Sequence, residues 1–116
     1  FHCKATADGK PMLTKEHMKK MKPTSYIINA ARGNIVDEND LNEALNENLI
    51  AGAAVDVFSK EPAKENVLFN NPKVVLSPHI AASTSEASIV VAEMVANQIS
   101  DYLLSGKKLN TVWFFF

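Results

Sequence analysis

A chain of 116 residues with 12 Lys and Arg against 13 Asp and Glu suffices for one small globular domain but not for an enzyme of two domains. Its formal net charge of −1 leaves no basic footprint for nucleic acid, and Lys19-Lys20 and Lys107-Lys108 are too sparse to make one. No apolar run approaches the ~20 residues that span a bilayer, no basic-then-apolar leader opens the sequence, and the single Cys3 excludes an internal disulfide and argues against a structural zinc site.

In chain order, Phe1-His2-Cys3 reads as though it lay inside a strand. Thr14 is placed to cap a short helix over 15–21, with Met18 and Met21 on one face, and Lys22-Pro23 ends it. The apolar run 26–29 predicts a strand buried on both faces, as in a parallel sheet. Asp37 then reads as the N-cap of a helix to about Asn46, with Leu41, Ala44 and Leu45 facing the sheet and acidic residues in the first turn favouring the helix dipole. The next strand is predicted over 50–58, where Gly52, Ala53 and Ala54 allow close approach of backbone or ligand. After an irregular stretch, Val74-Val75-Leu76 forms a third short strand ending at Ser77-Pro78-His79. Ser83-x-x-Glu86 is a capping-box pattern that opens a long helix, with Ile89, Ala92, Val95, Ala96, Ile99, Tyr102 and Leu103 at helical spacing and Gly106 as its stop.

Alternating strands and helices predict an α/β fold with a parallel sheet, and in such a sheet ligands bind beyond the carboxyl ends of the strands. Arg32-Gly33, Asp56 with Glu61-Pro62, and Pro78-His79 all follow successive apolar runs, so they are expected to converge. An arginine, a carboxylate and a histidine brought together there suit the removal of a proton and a hydride from an anionic 2-hydroxy acid. His79 would exchange the hydroxyl proton. Glu61 would fix the tautomer and orientation of its ring. Arg32 would hold the substrate carboxylate with its planar fork, as a lysine could not. Taken singly, each has a plainer reading: a loop histidine that only hydrogen-bonds, a solvated loop charge, a surface salt bridge. Gly33 after Arg32 points to a tight turn or a close backbone approach, and Asp56 in an apolar strand requires a partner. Glu65, His2 and His17 are left as surface residues, with His2 near the cofactor through its backbone.

The stretches Tyr26-Ile27-Ile28-Asn29-Ala30-Ala31-Arg32-Gly33, Ile35-Val36-Asp37-Glu38, Ala51-Gly52-Ala53-Ala54-Val55-Asp56-Val57-Phe58 with Glu61-Pro62, and Leu76-Ser77-Pro78-His79-Ile80 closely resemble the D-isomer-specific 2-hydroxyacid dehydrogenases over nearly the whole chain. The resemblance implies NAD as cofactor and the second half of a Rossmann-like parallel-sheet NAD-binding domain, with a long C-terminal helix leading back to a substrate domain. It implies catalytic roles for Arg32, Glu61 and His79. It also places Ala30, Ala31, Arg32, Asp56, His79, Ile80, Ala81 and Ala82 around the cofactor, Asp56 beside the nicotinamide amide. Ala81 stands where the family has glycine, and Lys4 where it has proline. Segments 61–66, 82–87 and 100–106 are most similar to the phosphoglycerate dehydrogenases, which implies oxidation of 3-phosphoglycerate to 3-phosphooxypyruvate in serine biosynthesis. Relatives acting on glyoxylate, hydroxypyruvate or D-lactate are the chemical alternative.

Residues 1–105 are thus assigned to the C-terminal part of the NAD-binding domain. Residues 106–116, with the aromatic end Trp113-Phe114-Phe115-Phe116, read as a truncated or aberrant tail. No Gly-x-Gly-x-x-Gly occurs in the chain, so a fragment, inactive in isolation, is expected, without the residues that select NAD over NADP. The expected partner is a small anionic 2-hydroxy acid, with no nucleic acid and no membrane. The expected setting is the cytoplasm, with a homo-oligomeric full-length protein. Two readings of other classes compete: a corepressor-like binding protein that senses the nicotinamide cofactor, and an inactive remnant that pairs with itself.

Overall fold

The computed structural model describes residues 1–110, so the aromatic end 113–116 lies outside the described residues. The chain divides into two compact units, Phe1–Ala81 and Ala82–Phe116.

The first unit holds helix α1 (Lys15–Met18), strand β1 (Tyr26–Asn29), a 3-10 turn (Gly33–Ile35), helix α2 (Glu38–Asn46) and strands β2 (Gly52–Val55) and β3 (Val74–Leu76). The three strands form one parallel sheet in the order β1-β2-β3, with Tyr26 opposite Gly52 and Ala53 opposite Val74. Gly52 lets the neighbouring strands pack closely here. A Cβ there would stand 2.9 Å from the Tyr26 ring and 3.0 Å from the carbonyl of Lys73.

Helix α2 forms where expected. Asp37 accepts the amide of Asp40 at 3.0 Å, and Leu41, Ala44 and Leu45 are buried. They meet Met18, Ile27, Ile35, Ile50, Ala53, Val55 and Leu68 in one core. Lys15 ties α1 to α2: its amide donates to Asp40 at 2.8 Å and its ammonium to Glu43 at 2.9 Å and Glu47 at 2.6 Å.

Several expectations are corrected. Helix α1 stops at Met18 rather than at 21, because residues 19–21 close a tighter turn, Lys20 amide to His17 carbonyl and Met21 amide to Met18 carbonyl. Strand β1 is buried on one face only. Ile27 and Asn29 point into the core while Tyr26 and Ile28 are exposed, since within this unit helices cover one side of the sheet. The run 50–58 supplies only four strand residues, because beyond Asp56, whose amide makes the last bond to β1 at the Asn29 carbonyl, the chain turns away to build the loop described below. Phe1-His2-Cys3 is not a strand. A strand needs a ladder of backbone bonds, and here the amino group of Phe1 alone reaches β1, at the carbonyl of Ile28, 2.6 Å away.

The second unit holds helix α3 (Ser85–Ser105). Its N-cap is Thr84, whose hydroxyl accepts the Ala87 amide at 3.1 Å, so the capping-box register expected from Ser83 is displaced by one residue. Gly106, at φ 70°, ends it as expected, its amide returning to the Tyr102 carbonyl at 2.9 Å. No described helix is long and apolar enough to cross a membrane.

Candidate active site

Each strand of the sheet delivers one functional segment at its carboxyl end. After β1 the chain must turn sharply, and Asn29 makes the turn. Its buried side chain accepts the Ala31 amide at 3.2 Å and donates to the Arg32 carbonyl at 3.0 Å, while its own carbonyl accepts the Asp56 amide at 3.0 Å. Arg32 is thereby carried into the open, where its guanidinium donates to the Ala31 carbonyl at 2.7 Å. The next residue packs against the segment leaving β2 with no room for a side chain: a Cβ on Gly33 would lie 1.9 Å from the carbonyl carbon of Phe58. The requirement is close approach, and Gly33 is not among the residues with positive φ.

After β2, Glu61 folds back so that Oε1 accepts the Phe58 amide at 2.9 Å, and Oε2 lies 2.7 Å from Nδ1 of His79. The hydrogen bond from His79 and then that from Phe58 hold the Glu61 carboxyl below the usual carboxylate range, against a weaker opposing effect of burial. With Glu61 ionised, Nδ1 is the donor to it, and in the neutral ring Nε2 is then the acceptor.

After β3, Ser77, Ile80 and Ala81 converge on Asp56. Its Oδ1 accepts the Ser77 hydroxyl at 2.5 Å and the Ile80 amide at 2.9 Å, and its Oδ2 accepts the Ala81 amide at 2.9 Å. Burial pushes the Asp56 carboxyl up, but these three donors, with the nearby His79, outweigh it and leave the group below its ordinary value. The partner that a carboxylate in an apolar strand requires is therefore a set of donors from the turn after β3. That turn holds His79 at φ 56°, a left-handed conformation unfavourable for a residue with a Cβ by about 1–2 kcal/mol. The two amides that follow, fixed on Asp56, keep it there.

The structure brings Arg32, Glu61 and His79 around one open cavity of about 300 Å³, lined also by Gly33, Asn34, Val57, Phe58 and Ser59. Ala30 and Ala31 line a neighbouring cavity of about 440 Å³ that Arg32 shares with residues 2–5. A larger one of about 620 Å³, mostly apolar, also reaches Glu61 and His79 and is walled by Phe58, Phe69 and Leu76 among others. Phe58 and Phe69 meet edge to face, ring centres 5.8 Å apart. Ile80 is exposed, and Ala81 is not among the residues with positive φ, so the glycine usual there is not required by this turn. Ala82 begins the second unit. His17 is exposed, as expected, with Nδ1 accepting the Thr14 amide at 3.1 Å.

Sequence reasoning missed Asn29, Ser77 and Glu38. A lone Asn at the end of an apolar strand was a usable signal for the first. Ser77 and the partners of Glu38 carry no periodic signal at all, because they matter only through contacts between segments about 20–28 residues apart.

Residues 1–81 match the family described as D-isomer specific 2-hydroxyacid dehydrogenase, NAD binding domain. Over 104 residues the chain is 46% identical to a D-3-phosphoglycerate dehydrogenase of Synechocystis, covering 90% of this chain and 19% of that protein. Over 88 residues it is 47% identical to a glyoxylate reductase of Pyrococcus furiosus, covering 76% of this chain and 26% of that one. Among solved structures, an acyclic imino acid reductase in complex with NADPH and D-Arg superposes with a TM-score of 0.85 at 32% identity, covering 97% of this chain and 36% of that one. A glyoxylate/hydroxypyruvate reductase of Sinorhizobium meliloti, in complex with NADP and malonate, gives 0.82 at 30% identity, covering 96% and 35%. The chain thus spans about a fifth to a quarter of the length of these two curated relatives.

Proposed function

The chain belongs to the D-isomer specific 2-hydroxyacid dehydrogenases, within their NAD-binding domain, and from that premise we propose that it carries the proton-transfer and carboxylate-binding groups of an NAD-dependent dehydrogenase acting on 3-phosphoglycerate. The observation that carries this is the Glu61–His79 pair at 2.7 Å on the same cavity as Arg32. His79 Nε2 takes the proton of the substrate hydroxyl, and Glu61 stabilises the imidazolium that results. Arg32 binds the substrate carboxylate through its free N–H groups and orients the carbon that is oxidised. A nicotinamide held beside Ala30 and Ala31 would supply the hydride acceptor for that carbon, which turns a hydroxy acid into a 2-oxo acid.

The residues present suit the nicotinamide end of NAD. Ala30 and Ala31 leave the cavity beside Arg32 free of bulk. Asp56, which the family resemblance places beside the nicotinamide amide, is held in position by its three internal donors.

The similarity to the D-3-phosphoglycerate dehydrogenase of Synechocystis supports the choice of substrate. A second reading, reduction of glyoxylate or hydroxypyruvate, is favoured by the 47% identity to the Pyrococcus furiosus protein and by the Sinorhizobium meliloti structure. A cytoplasmic setting and a homo-oligomeric whole protein belong to the same proposal and rest on the family resemblance. The test is NADH formation from 3-phosphoglycerate against NADH consumption with glyoxylate, by the dehydrogenase assembled around this chain. A higher kcat/KM for glyoxylate would replace the first reading with the second. Inactivity on every 2-hydroxy and 2-oxo acid would reject both.

A further inference from the structure

We infer that Glu38, on the first turn of α2, is a positioning residue that sets the Glu61–His79 contact by pinning both ends of the loop that carries Glu61. This rests on the reading of Glu61 and His79 as the working pair. Glu38 Oε1 accepts the Ser59 amide at 2.7 Å. Its Oε2 accepts the Ser59 hydroxyl at 2.7 Å and the Asn66 side-chain amide at 2.9 Å. One carboxylate therefore closes residues 59–66 into a ring anchored on a helix whose inner face is in the core. Glu61 lies two residues inside that ring.

Other restraints on the loop are few. Among the described residues, its only further hydrogen bonds are those of Glu61 itself and the turn bonds that Asn66 makes to Leu68 and Phe69. Lys60, Lys64 and Glu65 are exposed, and Ala63 alone reaches the core from within the loop. The ring has a fixed floor, because the backbone of Phe58 and Ser59 rests on Gly33 with no space to shift toward it. Charge-assisted hydrogen bonds of this kind are stronger than neutral ones. Three on one carboxylate orient a loop that would otherwise sample many conformations and hold Glu61 near His79 only part of the time. Glu38 touches neither His79 nor the cavity that Arg32 lines. It acts through the loop.

The test is a carboxyl-carbon NMR titration of Glu61 in the intact 116-residue chain, which reads the contact without requiring turnover. Glu38→Gln keeps the volume but turns an NH2 group toward donors. It is expected to raise the Glu61 midpoint toward the ordinary carboxylate value, since the hydrogen bond from His79 is the largest contributor to its depression. In a His79→Gly background, which suits the left-handed backbone there and carries no side-chain donor, that contribution is gone, so most of the rise should vanish. An unchanged midpoint, or the same rise in both backgrounds, would overturn the inference. Should Glu38→Gln fail to fold, Ser59→Ala with Asn66→Ala removes two of the three donors and leaves Glu38 in place. A rise then supports the inference and an unchanged midpoint overturns it. Because activity is not the readout, an inactive assembled enzyme would count against the proposed function and not against this contact.

Discussion

Oε2 of Glu61 lies 2.7 Å from Nδ1 of His79, while Oε1 of the same carboxylate accepts the Phe58 amide at 2.9 Å. Glu61 is thus held between a backbone donor on its own loop and the imidazole of a different strand end. A carboxylate in this position orients the ring and turns Nε2 away from Glu61.

The first prediction concerns acid. Glu61 titrates below its ordinary value of 4.5, with the hydrogen bond from His79 as the leading cause. A depressed carboxyl contributes stability that is fully present above the unfolded-state pKa and is lost as pH falls through the folded-state one. Urea midpoints of the native chain and of Glu61→Gln are therefore expected to differ at neutral pH and to converge only well below pH 4.5. A gap that persists unchanged into strong acid would show that the ionised form is not what matters.

Second, in the assembled dehydrogenase His79→Ala is expected to lower turnover by ~10²–10⁴-fold while leaving cofactor affinity nearly intact, as for loss of a positioned acid/base. Arg32→Lys should raise KM and lower turnover together, because the bidentate fork is lost. Steady-state kinetics with cofactor titration separate the two, and wild-type turnover in the His79 variant would remove it from the reaction.

Third, Asp56→Ala leaves the Ser77 hydroxyl and the Ile80 and Ala81 amides without their acceptor. Denaturant unfolding is expected to show a loss of about 2–4 kcal/mol, in the range for breaking a charged, part-buried hydrogen-bond set. His79 should also leave its left-handed conformation, visible as a changed backbone chemical shift. A variant as stable as the native chain would mean that water replaces the carboxylate at no cost.

Fourth, the two glycines beside the sheet should respond differently to alanine. At Gly33 the new Cβ meets backbone at 1.9 and 2.0 Å and at Gly52 it meets the Tyr26 ring at 2.9 Å, a side chain exposed on one side. Gly33→Ala is expected to cost roughly 3 kcal/mol or more and to displace residues 58–61, whereas Gly52→Ala should cost about 1–2 kcal/mol through ring movement. Equal thermal shifts for the two would contradict the close approach at Gly33.

Fifth, NAD is expected to bind the 116-residue chain weakly, with no saturation below about millimolar in calorimetry. The pyrophosphate of a dinucleotide is held by a glycine-rich turn at a helix amino end. The glycines of this chain, at 9, 33, 52 and 106, do not form one. Micromolar binding would reveal an anchor elsewhere in these residues.

The sequence by itself determined the α/β alternation, the three apolar strand runs, the cap at Asp37, the stop at Gly106 and the candidate triad of Arg32, Glu61 and His79. These are local or periodic features: apolar spacing, cap chemistry, and polar residues placed just beyond strands whose parallel order makes their ends converge. Tertiary structure alone decided which face of β1 is buried, since that depends on what packs over Tyr26 and Ile28 and not on the run 26–29. It also decided that Asp56 serves the turn of His79, that Gly33 yields to the backbone of Phe58, and that Glu38, legible only as an acidic first-turn residue, holds Ser59 and Asn66. Hydrogen bonds between segments far apart in the chain leave no period in the sequence, because their partners are selected by where the folded strands and helices place them.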